Sequence, residues 1–134
     1  SNKEMCYPAF LIPHTISDPV SDLGAKNCLW QESLYDEQVP NRITESMMRT
    51  MDVPQLTHSA EMTYGLDTVS ADHNGSGFII WHDTHYDFNA LGNLPYEGGA
   101  HKAIRVMSAW RDETQYYLEQ DGVARNFCDG ECSF

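Results

Sequence analysis

The chain has 134 residues, with 20 carboxylates against eight lysines and arginines, and its net charge is -12 with histidine neutral. That length makes a single domain with a core of its own, and that charge repels a nucleic-acid backbone or an anionic membrane, so cations and basic partners fit better. Apolar runs stop after a few residues, AFLIP and FIIW being the longest, and none of them spans a bilayer.

In chain order, prolines at 8, 13, 19 and 40 break residues 1–40 into a loop-rich arm. A broken apolar stripe of Leu23, Leu29, Trp30, Leu34 and Val39 predicts one helix there, from Ser21 or Asp22 to about Gln38. Asn41, after Pro40, reads as the N-cap of a short helix over 41–52, with Ile43, Met47, Met48 and Met51 along its buried side as core filling. Beyond Pro54 the period changes to two, which predicts a half-buried strand over 56–64 with His58 on its apolar face. Residues 66–71 and 77–82 then read as the two arms of a hairpin.

The turn between those arms has two readings. Asp72, Asn74 and Ser76 alternate ahead of Gly77, a pattern whose oxygens converge on Ca2+ when the backbone curls; Asp83 falls at position twelve of such a loop. Alternatively Asn74 and Gly75 close an ordinary turn, since both tolerate positive φ. Directly after it, WHDTHYD brings His82, Asp83, His85 and Asp87 together. In an extended segment Asp83, His85 and Asp87 share one face and His82 takes the other. Imidazole and carboxylate suit a transition metal or acid/base chemistry, and a solvated loop is the plain alternative. No Lys or Arg occurs between Arg49 and Lys102, whereas that interval holds seven carboxylates and five of the six histidines. It is the expected cation surface.

Residues 87–99 read as a long loop able to bring Glu97 and His101 toward that cluster. A strand over 102–111 would place Ile104, Val106 and Trp110 on one face. In TQYYLEQDGVARNF, Asp121 and Gly122 read as the centre of a type I′ hairpin pairing Gln120 with Val123, Leu118 with Arg125 and Tyr116 with Phe127. Arg125 must then lie at an edge or meet a carboxylate. The expected fold is α+β, an antiparallel β-sheet over 56–128 with short N-terminal helices.

Cys6, Cys28, Cys128 and Cys132 allow three pairings. Local pairing, Cys6 with Cys28 and Cys128 with Cys132, implies an oxidising, extracytoplasmic compartment; a zinc site or free thiols are the alternatives. The sequence shows no signal peptide, and its start at Ser1 reads as a processed or trimmed terminus.

With its strand, its acidic D-x-N-x-S-G turn and its later YYLEQDGVAR segment, the stretch 66–132 resembles the globular head of minor type IV pilins and type II secretion pseudopilins. The resemblance implies an antiparallel sheet packed on a long N-terminal helix, a C-terminal disulfide, and a filament subunit that assembles with protein partners. It implies no catalytic residues, and Ca2+ on Asp72, Asn74 and Ser76. Locally, HDTHY is similar to the H-D-x-x-Y motif of secreted phospholipases A2, which implies His82 as base, Asp83 as calcium ligand and Tyr86 in support. That family carries the motif on a helix, whereas FIIWHD reads as strand. Two functions are therefore expected. One is an extracytoplasmic binding or assembly module, stabilised by Ca2+. The other is a small secreted metal-dependent hydrolase using His82, Asp83, His85 and Asp87, with His82 or His101 as acid/base.

Overall fold

A computed structural model describes residues 16, 26–85 and 99–134. Its spine is a strand of five consecutive buried residues, Gly77–Trp81, whose apolar run GFIIW suits a strand covered on both faces. Alternation divides that run between two cores. Phe78 and Ile80 pack with Met48, Met51 and Val53, while Ile79 and Trp81 pack with Leu56, Ile104, Tyr117, Ala124 and Cys132.

The described elements are β1 (Leu29–Ser33), α1 (Asn41–Met51), β2 (Gln55–Leu56), β3 (Thr68–Val69), β4 (His73–Asn74) and β5 (Gly77–Trp81). After these come α2 (Ala100–Ala103), a 3-10 turn (Ile104–Val106), α3 (Ser108–Glu119) and β6 (Val123–Ala124). One sheet has the order β1-β5-β2-β3, and every pairing in it is parallel, with Leu29 opposite Gly77 and Ser33 opposite Trp81. Parallel strands need crossover connections, and α1 lies in the one from β1 to β2, which flank β5 on its two sides. A second, two-stranded antiparallel sheet pairs β4 with β6. Beyond β5, His82 bridges Ser133, and Cys132 donates its N–H to the His58 carbonyl at 2.8 Å, so the last residues lie between two segments of the main chain.

This architecture corrects the expected antiparallel sheet with short N-terminal helices. The main sheet is parallel, and the three described helices follow strands. The same correction applies to the pilin-like sheet. Residues 66–71 and 77–82 are not hairpin arms; β3 and β5 both pair with β2. The strand over 56–64 stops after Leu56 and becomes turns, and the helix placed over 22–38 gives way to β1, its residues 21–25 lying outside the described part. The short helix does form, although Pro40 rather than Asn41 is its cap residue.

The largest reversal is at 102–127, where a strand over 102–111 and a hairpin about Asp121 and Gly122 were expected and helical segments run up to Glu119. Asp121 and Gly122 both have positive φ, as a type I′ turn requires. They use it to end α3: Gly122 donates its N–H back to the Tyr117 carbonyl at 3.0 Å, the long bond of a Schellman motif. Gly122 has φ +91°, and a Cβ there would meet Asn27 Nδ2 at 2.8 Å. Gly122→Ala is therefore expected to cost more than about 1 kcal/mol, read as a lower urea midpoint with unchanged slope.

Candidate functional site

The best-formed cavity among the described residues runs along one face of β1, an edge strand of the main sheet. Here β1 presents Leu29, Gln31 and Ser33 on one face, two residues apart, and these line a cavity of about 280 Å³ closed by Asp36, His101, Ile104, Arg105 and Trp110. Trp30 packs against the opposite core.

The turn after β1 is built to hold Asp36. Asn41 accepts the Tyr35 N–H at 2.9 Å and donates to the Ser33 carbonyl at 2.7 Å, clamping the turn from the first residue of α1. Asp36 Oδ1 accepts the N–H groups of Gln38 and Val39 at 2.7 and 2.8 Å, while Oδ2 faces His101 Nδ1 at 2.7 Å. Ser33 Oγ donates to the Ala100 carbonyl at 2.7 Å and Glu37 accepts the His101 N–H at 3.2 Å, so the start of α2 is anchored twice. Arg105, four residues after His101, places Nη2 3.0 Å from His101 Nε2. A carboxylate only accepts and a guanidinium only donates, so the imidazole hydrogen is on Nδ1 and the Nε2 lone pair faces Arg105.

Two residues that line the cavity each carry a buried donor with no acceptor among the described residues. Gln31 receives a bond from Thr114 Oγ1 at 3.1 Å on its oxygen, but its buried Nε2 and the buried Trp110 Nε1 make no hydrogen bond. Orphaned buried N–H groups are uncommon and cost about 1–3 kcal/mol each.

A second acid–histidine pair lies in the core below the tail. His58 Nε2 is 3.4 Å from Glu113 Oε1, both residues are buried, and Glu113 Oε2 and His58 Nδ1 are unpartnered. Burial holds the Glu113 carboxyl above the usual carboxylate range, and the histidine offsets part of that. Cys132 lies beside them in a disulfide with Cys128. The expected closure of the tail therefore forms, helped by the positive φ of Gly130. Cys28 carries a free thiol, and Cys6 lies outside the described residues.

Those of the residues singled out from the sequence that are described have local partners of their own. Asp72 is paired with Arg125 at 2.7 Å, Asn74 lies in β4 opposite Val123, and Ser76 Oγ accepts the Cys28 N–H at 3.1 Å. Asp83 holds His85 at 2.7 Å, with the His85 side chain almost fully exposed. His82 instead meets Tyr35 edge-to-face at 5.5 Å and Ser133 Oγ at 3.4 Å. Tyr86, Asp87 and Glu97 lie outside the described residues. His101 is the one sequence-chosen residue in the cavity, and its partner is Asp36 rather than the WHDTHYD cluster. Asp36, Arg105, Gln31 and Glu113 were not singled out, and Trp110 was read only as a strand-face residue; the His101–Arg105 spacing of four would have been a signal only once that segment was read as helical.

No family model, curated protein or solved structure matches this chain.

Proposed function

We propose that the protein is an extracytoplasmic binding domain for a small molecule bearing an oxyanion, a carboxylate or a phosphate, held in the cavity between β1 and the helices after Gly99. The observation that carries this reading is the Arg105 guanidinium in the wall of that cavity, beside His101 and together with Gln31 and Trp110. Arginine supplies charge and a fork geometry suited to carboxylate or phosphate, a ligand made of acceptors. Lys102, Arg105 and Arg111 supply three of the chain's eight basic residues within one short stretch, a local exception to the acidic whole. A volume of about 280 Å³ fits a small metabolite rather than a peptide. The Cys128–Cys132 disulfide supports the oxidising compartment.

Calorimetric titration with inorganic phosphate and with succinate, alongside the Trp110 indole N–H resonance, tests the reading. Saturable binding of one probe with movement of that resonance is expected, and Arg105→Ala should weaken it about ten- to hundredfold, the worth of a charge-assisted hydrogen bond. If neither probe moves the indole resonance at millimolar concentration, the reading fails.

A second reading is favoured by the tautomer of His101. An oxyanion that engages Arg105 frees the Nε2 lone pair, and His101, held by Asp36, then accepts a proton from the bound molecule. In that case His101→Gln would keep binding and lose turnover of a bound ester.

A further inference from the structure

The buried trio under the tail has the donor chemistry of a metal site. His58, from the turn after β2, Glu113, from the middle of α3, and Cys132, from the tail, are all buried and each offers one ligand atom, the three lying within 4.8 Å of one another. In a tetrahedral zinc site, bond lengths of about 2.0–2.3 Å place donor atoms about 3.3–3.8 Å apart. The His58–Glu113 separation of 3.4 Å already falls there. As a hydrogen bond that contact is long, and Glu113 Oε2 has no partner although the residue is fully buried. A buried carboxylate left this way is costly unless something cationic completes it. The backbone fixes the third donor, because the Cys132 N–H is bonded to the His58 carbonyl at 2.8 Å. What blocks the site is covalent: Cys132 Sγ is bonded to Cys128.

We propose that His58, Glu113 and Cys132 form a Zn2+ site gated by the Cys128–Cys132 disulfide, shut while the bond is intact and opened by a dithiol reductant. In the gating step the dithiol gives two electrons and two protons to the disulfide and leaves as its own disulfide, and Cys128 and Cys132 become thiols. Zn2+ then takes the Cys132 sulfur as thiolate, whose proton goes to solvent. Imidazole, carboxylate and thiolate suit Zn2+, and the sulfur and small ligand number exclude Ca2+ and Mg2+, which take six or more oxygens. The gate closes a loop of sequence separation 4, so opening it frees little chain.

Cobalt(II), a spectroscopic stand-in for zinc, reads the site through its thiolate charge-transfer band. Protein reduced with dithiothreitol and desalted should take up one equivalent with that band, displaced by Zn2+, and the oxidised protein should not. Cys128→Ser, which leaves Cys132 as a thiol permanently, should bind without reductant. Glu113→Gln should weaken binding at least tenfold. Cys132→Ser should abolish the band although Cys6, Cys28 and Cys128 remain, and Arg105→Ala should leave it unchanged. A band that survives Cys132→Ser, equal binding by the oxidised protein, or reduced wild type that stays folded by circular dichroism yet binds nothing would each overturn the proposal. Should Cys128→Ser not fold, the reduced wild type and Glu113→Gln decide.

Discussion

Replacing Glu32 by Gln should leave stability unchanged near pH 4 and raise it by a few kcal/mol near pH 8. Glu32 is buried on the face of β1 turned from the cavity, and its carboxyl is pushed up from 4.5 to about 8. Burial is the main cause, followed by the negative charge of Glu45, with Asp36 adding less. Asn41 and Thr44 offset part of it, without forming hydrogen bonds of normal geometry. Between about pH 4.5 and 8 the folded chain therefore holds a proton that the unfolded chain has released. Stability falls as pH rises through that window, by at most about 1.4 kcal/mol per unit, and the contribution is complete only below the unfolded value. Glutamine has the shape of the protonated acid and cannot ionise. Urea midpoints of the two proteins at pH 4, 6 and 8 give the comparison, in which the other titrating groups cancel. A difference that does not widen with pH would show that Glu32 is not buried as a neutral acid.

Trp81→Ala should cost about 3–5 kcal/mol, as removal of a large buried aromatic does. Trp81 is fully buried and lies nearly parallel to Phe134, with ring centroids 6.1 Å apart, so the same residue fills the core and holds down the tail. Trp81→Phe should be far milder. The indole Nε1 is buried with no acceptor, and removing that donor relieves a desolvation cost that offsets part of the lost ring area. The two variants should separate by more than about 2 kcal/mol in chemical denaturation. Equal losses would mean that the indole N–H has a partner after all.

How much could be read from the sequence depends on where a polar residue interrupts an apolar pattern. The helix at 41–51 was legible because Met47, Met48 and Met51 keep helical spacing, and Met48 and Met51 are indeed core residues. The run FIIW was legible as a strand, but its lack of alternation marked a central parallel strand rather than a hairpin arm. Helix α3 was hidden because its buried stripe is Ala109, Glu113 and Tyr117, with a carboxylate in the middle position. That acid opposes local patterning because it meets His58, a residue 55 positions away. The dipeptide at 121–122 signalled two positive-φ residues correctly, and the signal is shared by hairpin turns and helix ends. The cavity was out of reach for a similar reason. Asp36 and His101 are 65 positions apart, and nothing local to either names the other.

The arrangement of the main sheet also sets a timetable. Its longest pairing, β1 with β5, brings together segments such as Cys28 and Ser76 that are 48 positions apart. Parallel, sequence-distant pairing of this kind must meet its loop-closure entropy before any contact rewards it, which makes for slow assembly. Ligand or metal binding needs Asp36 with His101 and Glu113 with His58, 65 and 55 positions apart, so it should appear in refolding as a late phase, in step with the last burial of tryptophan and never ahead of it.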